Sequence, residues 1–297
     1  MNKVIRVGTR ESELALTQTR WVIEKIVQKF PDIVFEIIGI KTKGDVILDT
    51  RLDKIGGKGL FIKEIEHALI NGSIDIAVHS MKDMPAELTD KLTIAAVCKR
   101  EDPRDVLVTT TGGSFEELPH GSVIGTSSVR REVQILKIRP DLRVKTLRGN
   151  VLTRINKLLD NEYDAIVLAA AGLKRLGLHQ YCSQYLSLED IIPAVGQGAL
   201  AVEARSGDDI ISILLESVHC RQTALCVAAE REYLKRLNGG CSVPIAAHAV
   251  IIGNVMKLNG MFASEDRTVI YKACIEGLAD DAESLGRKLA EMIIDQM

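Results

Sequence analysis

The sequence contains no run of roughly eighteen or more apolar residues, so no segment is suited to cross a bilayer as a helix. Its opening, Met1 to Arg6, turns polar too early for a secretory apolar stretch, and a cytoplasmic location is expected. Neither sign of charge dominates: 38 Lys and Arg stand against 40 Asp and Glu, a net charge of -2. Attraction to nucleic acid or to an anionic membrane would therefore need a local patch. The six cysteines, Cys98, Cys182, Cys220, Cys226, Cys241 and Cys274, show no Cys-x-x-Cys and no paired Cys/His spacing. That excludes zinc-knuckle and thioredoxin-type chemistry, predicts free thiols and leaves no metal site to expect. A Walker A sequence, internal repeats of about 20–50 residues and low-complexity tracts are also absent.

What is present is an ordinary globular composition over 297 residues, 46% hydrophobic and 26% charged. At ~150 residues per domain this leaves room for two or three domains. Through about residue 175, short β-rich runs alternate with amphipathic stretches, the mark of an α/β fold. Strands are predicted at 3–7, 34–40, 74–78, 106–109, 122–125, 142–146 and 165–168. Helices are predicted from Ser12 to about Lys29 and at 61–69, 128–138, 151–160 and 170–176, while the glycine-rich stretch 41–60 reads as a mobile loop. A Pro-interrupted apolar segment, 191–204, returns to the first sheet, which puts crossings near 98–105 and 190–200 and a hinged cleft between two lobes. The expected units are a first α/β lobe over 1–98 with a return segment 199–216, a second over 99–198, and a smaller C-terminal α+β domain over 217–297. The last reads as a helix (217–237), strands at 245–252, 255–262 and 268–275 with a close turn at Asn259-Gly260, and a helix over 280–294.

Two segments follow strands and carry chemistry. His79-Ser80-Met81-Lys82-Asp83-Met84-Pro85 lies at the carboxyl end of a buried-type strand, where open α/β folds bind ligands. A carboxylate such as Asp83 beside Lys82 can hold a proton donor or offset a developing positive charge; a solvated loop with Asp83 capping a turn is the plain alternative. Gly125-Thr126-Ser127-Ser128-Val129-Arg130-Arg131 opens a helix, so backbone N–H groups, three hydroxyls and two guanidinium groups converge as an anion site. Cations at the positive end of a helix dipole are unfavourable unless an anion joins them. Between Thr126 and Arg154, eight basic residues (Arg130, Arg131, Lys137, Arg139, Arg143, Lys145, Arg148, Arg154) outnumber two acidic ones (Glu132, Asp141). No aromatic residue falls in that window to stack on a base, so a small ligand with several carboxylates or phosphates fits better than RNA. Arg10, Ser12, Lys54 and Lys58 extend the same cleft.

Gly196-Gln197-Gly198-Ala199-Leu200-Ala201 matches a dinucleotide fingerprint only formally, because Val202-Glu203-Ala204 continues an apolar strand instead of a helix. Gly239-Gly240-Cys241-Ser242-Val243-Pro244 describes a tight exposed turn in which Lys235 and Arg236 favour the thiolate. Burial suits the other five cysteines better.

Taken together with Gly8-Thr9-Arg10-Glu11-Ser12-Glu13-Leu14-Ala15-Leu16 and Val195-Gly196-Gln197-Gly198-Ala199, these motifs resemble the hydroxymethylbilane synthase (porphobilinogen deaminase) family, in order and at its spacing from residue 3 to about 296. The resemblance implies two lobes like those of periplasmic binding proteins, and a transferase of porphyrin and heme biosynthesis. It implies that Cys241 carries a dipyrromethane cofactor through a thioether. Four porphobilinogen molecules are then deaminated and condensed head to tail on that primer, and hydrolysis releases hydroxymethylbilane. It makes Asp83 the main acid/base. It assigns Lys82, Thr126, Ser127, Ser128, Arg130 and Arg131 to the cofactor, and Arg10, Ser12, Arg148, Arg154, Gln197 and, on the loop, Lys54 to substrate. Each pyrrole bears an acetate and a propionate, which accounts for the gathered arginines. A monomer is expected, with neither nucleic acid nor membrane as partner. Two rivals remain open. A hinged solute-binding or effector-sensing module needs neither Asp83 nor Cys241, and a nucleic-acid protein needs the basic window on a convex face.

Overall fold

The computed structural model describes residues 4–46, 62–238 and 243–297. Lys54, Lys58, Phe61 and the turn with Cys241 lie outside the described residues.

In the first lobe, β1 (Val4–Arg10) buries Ile5 and Val7, and Ser12 accepts the Ala15 N–H to start α1 (Glu13–Val27). β2 (Val34–Ile40) pairs parallel to β1. The predicted loop 41–60 differs at its start: Lys43–Val46 forms a single helical turn, α2, where Asp45 N–H bonds the Thr42 carbonyl. Next come α3 (Lys63–Ile70), β3 (Ile76–Ser80) and β4 (Leu92–Val97). β3 begins two residues later than the apolar run suggests, because the Ser73 and Ile74 N–H groups still bond the Ala68 carbonyl at the end of α3.

The second lobe holds β5 (Asp105–Thr109), β6 (Val123–Gly125), α4 (Val129–Ile138), β7 (Arg143–Lys145), α5 (Val151–Leu159), β8 (Ala165–Ala169), α6 (Ala170–Arg175) and β9 (Gln184–Tyr185). The chain then returns as β10 (Leu200–Arg205) and α7 (Asp209–Leu215). The first sheet has the order β2-β1-β3-β10-β4 and the second β7-β6-β8-β5-β9. In each, three parallel strands are followed by one antiparallel strand, β10 or β5, that has just crossed from the other lobe. The sheets are thus mixed, and the buried strand β3 is parallel to β1 on one side and antiparallel to β10 on the other.

The C-terminal domain packs α8 (Arg221–Arg236) and α9 (Ala282–Ile294) on an antiparallel sheet of β11 (Ile245–Ile252), β12 (Val255–Ala263) and β13 (Ile270–Leu278). Asn259-Gly260 is not a turn but lies inside β12. A Cβ on Gly260 would stand 2.7 Å from Leu289 and 2.9 Å from Tyr233, so the glycine makes room for the two helices, and the reversal falls at Gly253 instead. The other face of this sheet meets α4, where Val129 and Val133 pack with Ala246 and Met261. Glu230 of α8 is fully buried and binds Arg100 (2.9 Å), Gly196 N–H (2.7 Å) and Ala249 N–H (2.8 Å), tying both crossings to this domain. Of the five described cysteines, Cys98 and Cys226 are buried but Cys274 is exposed, because it sits opposite Asn259 on the outer side of β13.

Candidate active site

The carboxyl end of β3 runs directly into a single tight turn, Met81–Asp83. Met81 is buried and its N–H bonds the Ala199 carbonyl at 3.0 Å, which leaves Lys82 and Asp83 half-exposed beside the cleft. Gly196, at φ +71, passes so close that a Cβ would lie 2.4 Å from Met81 Cγ; only glycine allows this approach. From the other side, Arg231 of α8 donates to the Pro85 and Ala86 carbonyls at 2.8 and 3.1 Å, fixing the chain just beyond Asp83. A cavity between the lobes is lined by Gln18, Ser80 and Lys82 of the first lobe, Arg131 and Arg154 of the second, and Gln197 of the second crossing. Asp83 Oδ2 stands 4.0 Å from Arg10 Nη1.

The opposite wall is built on one buried acid. Asp105, the first residue of β5 and fully buried, holds Arg130 Nη1 at 2.8 Å and Arg131 Nη2 at 2.7 Å, and accepts from Gln197 Nε2 at 2.9 Å. Burial alone would raise its carboxyl, but the two guanidinium charges and the bonds from Arg131 and Gln197 hold it far below the usual carboxylate range. The anion demanded by two arginines at a helix N-terminus is therefore supplied from within the chain. Both arginines are buried, and each donates a further bond to a carbonyl, Arg130 to Ile192 and Arg131 to Val167. The surrounding cations are crowded. Burial pushes the Lys82 ammonium down to about 8, partly opposed by Asp83 and reinforced by Arg131. Burial, then repulsion from Arg131 and Arg148, brings Arg154 down to about 10.

The remaining sequence-predicted residues take local roles. Ser12 and Ser128 cap α1 and α4, Thr126 Oγ1 accepts the Ser128 N–H, and Ser127 Oγ donates to the Leu147 carbonyl at 2.6 Å. Gln197 also donates to the Pro103 carbonyl, joining the two crossings. Arg10 is engaged by Asp45. Only part of the basic window converges: Arg130, Arg131, Arg148 and Arg154 influence one another, whereas Arg139 pairs with Asp141, and Lys137, Arg143 and Lys145 are exposed. Ser80 faces Gln18, whose Nε2 donates to it at 3.1 Å. His79, on the other face of β3, sits 3.2 Å from the buried Glu203 and away from this cavity.

The family model described as the dipyrromethane cofactor-binding domain of porphobilinogen deaminase matches residues 5–212, and that for the C-terminal domain matches 224–295. The chain belongs to the porphobilinogen deaminase family. Among its relatives, the porphobilinogen deaminase of Geobacillus kaustophilus is 51% identical over 98% of this chain and 94% of its own length. That of Bacillus subtilis is 48% identical over 100% and 94%. Among solved structures, the methionine-binding protein MetQ aligns at 13% identity and TM-score 0.46 over 77% of this chain and 94% of its own, too distant to carry an argument.

Porphobilinogen deaminase membership makes four residues that motif reading missed worth naming. Asp105 opens β5, one residue ahead of the strand predicted at 106–109. Gln18 is hidden as a polar position on the buried side of α1. Arg175 lies beyond the basic window, yet lines the cavity and donates to the Gly198 carbonyl at 2.6 Å. Arg231 reaches the active turn from 146 residues away, a contact no local pattern signals.

Proposed function

We propose that this chain carries out the family's reaction, deaminating and condensing four porphobilinogen molecules on a dipyrromethane primer held by Cys241 and releasing hydroxymethylbilane. One observation carries the reading: the half-exposed Asp83 stands at the edge of a cleft lined by Lys82, Arg131 and Arg154, with Arg131 anchored on the buried acid Asp105. The donor set suits a group rich in carboxylates, since the Arg131 Nε donor is buried without a hydrogen-bond partner among the described residues. When bound, the dipyrromethane supplies the nucleophilic pyrrole end. Lys82 and Arg131 would hold its carboxylates, with Thr126, Ser127, Ser128 and Arg130 shaping the wall behind them. Arg10, Ser12, Arg148, Arg154 and Gln197 would receive incoming substrate, with Lys54 outside the described residues. Asp83 moves the proton and stabilises developing positive charge at the reacting pyrrole.

This reading includes the division into lobes over 1–98 with 199–216 and over 99–198 and a domain over 217–297, a monomer, a cytoplasmic location and no nucleic-acid partner. The burial of Arg130 and Arg131 argues against a convex phosphate-binding face. Among the described residues, no helix is long and apolar enough to cross a membrane. The test is the intact mass of the purified chain followed by peptide mapping. An adduct of dipyrromethane size on the Cys241 peptide is expected. The same adduct on another cysteine, or turnover of porphobilinogen by a chain that carries none, would sink the proposal.

A further inference from the structure

Arg10 is a binding residue whose two working edges are both already facing carboxylates. Its Nε and Nη2 face Asp45, with Nε 3.1 Å from Oδ1, while Nη1 leans toward Asp83 at 4.0 Å. A guanidinium edge bound to a carboxylate is the geometry in which Arg10 would hold a substrate carboxylate. One edge cannot serve both at full strength, so a protein carboxylate has to give way. Asp83 is needed for the chemistry. Asp45 is the one with somewhere to go, because its Oδ2 already accepts from the Thr42 hydroxyl at 2.7 Å and from the Thr42 N–H at 3.3 Å. Thr42 is fully buried, and Asp45 sits on the one-turn helix α2, where its N–H bonds the Thr42 carbonyl at 3.0 Å.

We propose that Asp45 is a stand-in ligand for the substrate carboxylate: it holds the Arg10 fork in shape and is handed over to Thr42 when porphobilinogen arrives. The inference rests on the assignment of Arg10 to substrate. Asp45 keeps an unliganded guanidinium from folding back onto Asp83, so it preserves the free carboxylate that catalysis needs. The same contact competes with substrate, so affinity is set by the difference between two ion pairs at one fork. Both side chains are about a quarter exposed, 26% and 23%, which makes the internal pair weak enough to exchange.

The experiment measures the half-saturating porphobilinogen concentration and kcat of the cofactor-loaded enzyme for four variants. Asp45→Asn keeps the shape and the Thr42 bonds but removes the competing charge, so half-saturation should fall several-fold. Asp45→Glu retains a carboxylate and should stay nearer to wild type. Thr42→Val removes one receiver of the displaced carboxylate, so half-saturation should rise. Arg10→Leu should raise it most. A higher or unchanged value for Asp45→Asn, alongside the rise for Arg10→Leu, would overturn the stand-in role and make Asp45 a plain orienting residue. No rise for Arg10→Leu would remove Arg10 from the substrate site and the inference with it.

Discussion

The two lobes share a strand order yet carry opposite electrical equipment. In each, one strand delivers a serine-capped helix, Ser12 after β1 and Ser128 after β6. Each receives from the other lobe one antiparallel strand with a fully buried acid, Glu203 on β10 and Asp105 on β5. In the first lobe that acid pairs with His79, and the group at the cleft edge is the partly exposed carboxylate of Asp83, 4.0 Å from Arg10. In the second, the acid sits between two arginines, and the cleft faces cations. The scaffold therefore fixes where a charge can be placed, and the side chains decide its sign. Under the proposed function the acid/base group stands on the first wall, with Arg10 and Lys82 beside it, while the second wall offers cations alone.

The largest effect expected is on turnover from the first wall. Asp83→Asn should lower kcat by ~10²–10⁴, the usual worth of a positioned acid/base, because an amide neither exchanges the proton nor offsets positive charge. With its side chain 37% exposed, the fold should survive, as judged by circular dichroism. Turnover within tenfold of wild type would dissolve the division between the walls. Next in size is a stability contrast between the two buried acids. Asp105→Asn leaves two buried arginines without their charge partner, an expected cost of roughly 3–5 kcal/mol in urea unfolding. Glu203→Gln removes a charge that, among the described residues, pairs with one histidine, and should cost about 1–3 kcal/mol. Equal costs would break the comparison.

Sequence reading reached the scaffold where local signals suffice and lost it where distant pairing decides. Ser12 was legible as a helix start because a hydroxyl before an amphipathic run has one common use, and the structure makes it the cap of α1. β4 and β9 were illegible: the first contains two alanines and the second has two residues, and each is a strand only because β10 or β5 arrives from the other lobe to pair with it. Arg130 and Arg131 were legible as unusual but not as buried, since Asp105 joins them only across a sheet. Asp83 and Lys82 were placed correctly at a strand end because that position follows from the fold class itself. The Gly260 turn failed because a glycine opposite a tyrosine ring and a leucine looks, in one dimension, like any other asparagine-glycine pair.

The smallest effect expected is one of pH, and it sharpens the contrast because it concerns a cation, Lys82, on the acid's own wall. Burial holds Lys82 at about 8 against an ordinary value of 10.5, so the free enzyme loses this charge as pH rises through about 8. If the cation is what receives a carboxylate, kcat/KM should decline above that pH, approaching about tenfold per unit once the charge is gone. The stability consequence has the opposite sign. Between about 8 and 10.5 the unfolded chain binds the proton that the folded chain has released, so Lys82's contribution to stability rises with pH over the interval in which activity falls. Lys82→Arg, with a guanidinium that stays charged throughout, should carry kcat/KM past pH 9 without the decline. A decline at the same pH in Lys82→Arg would assign it to another group and remove Lys82 from carboxylate reception.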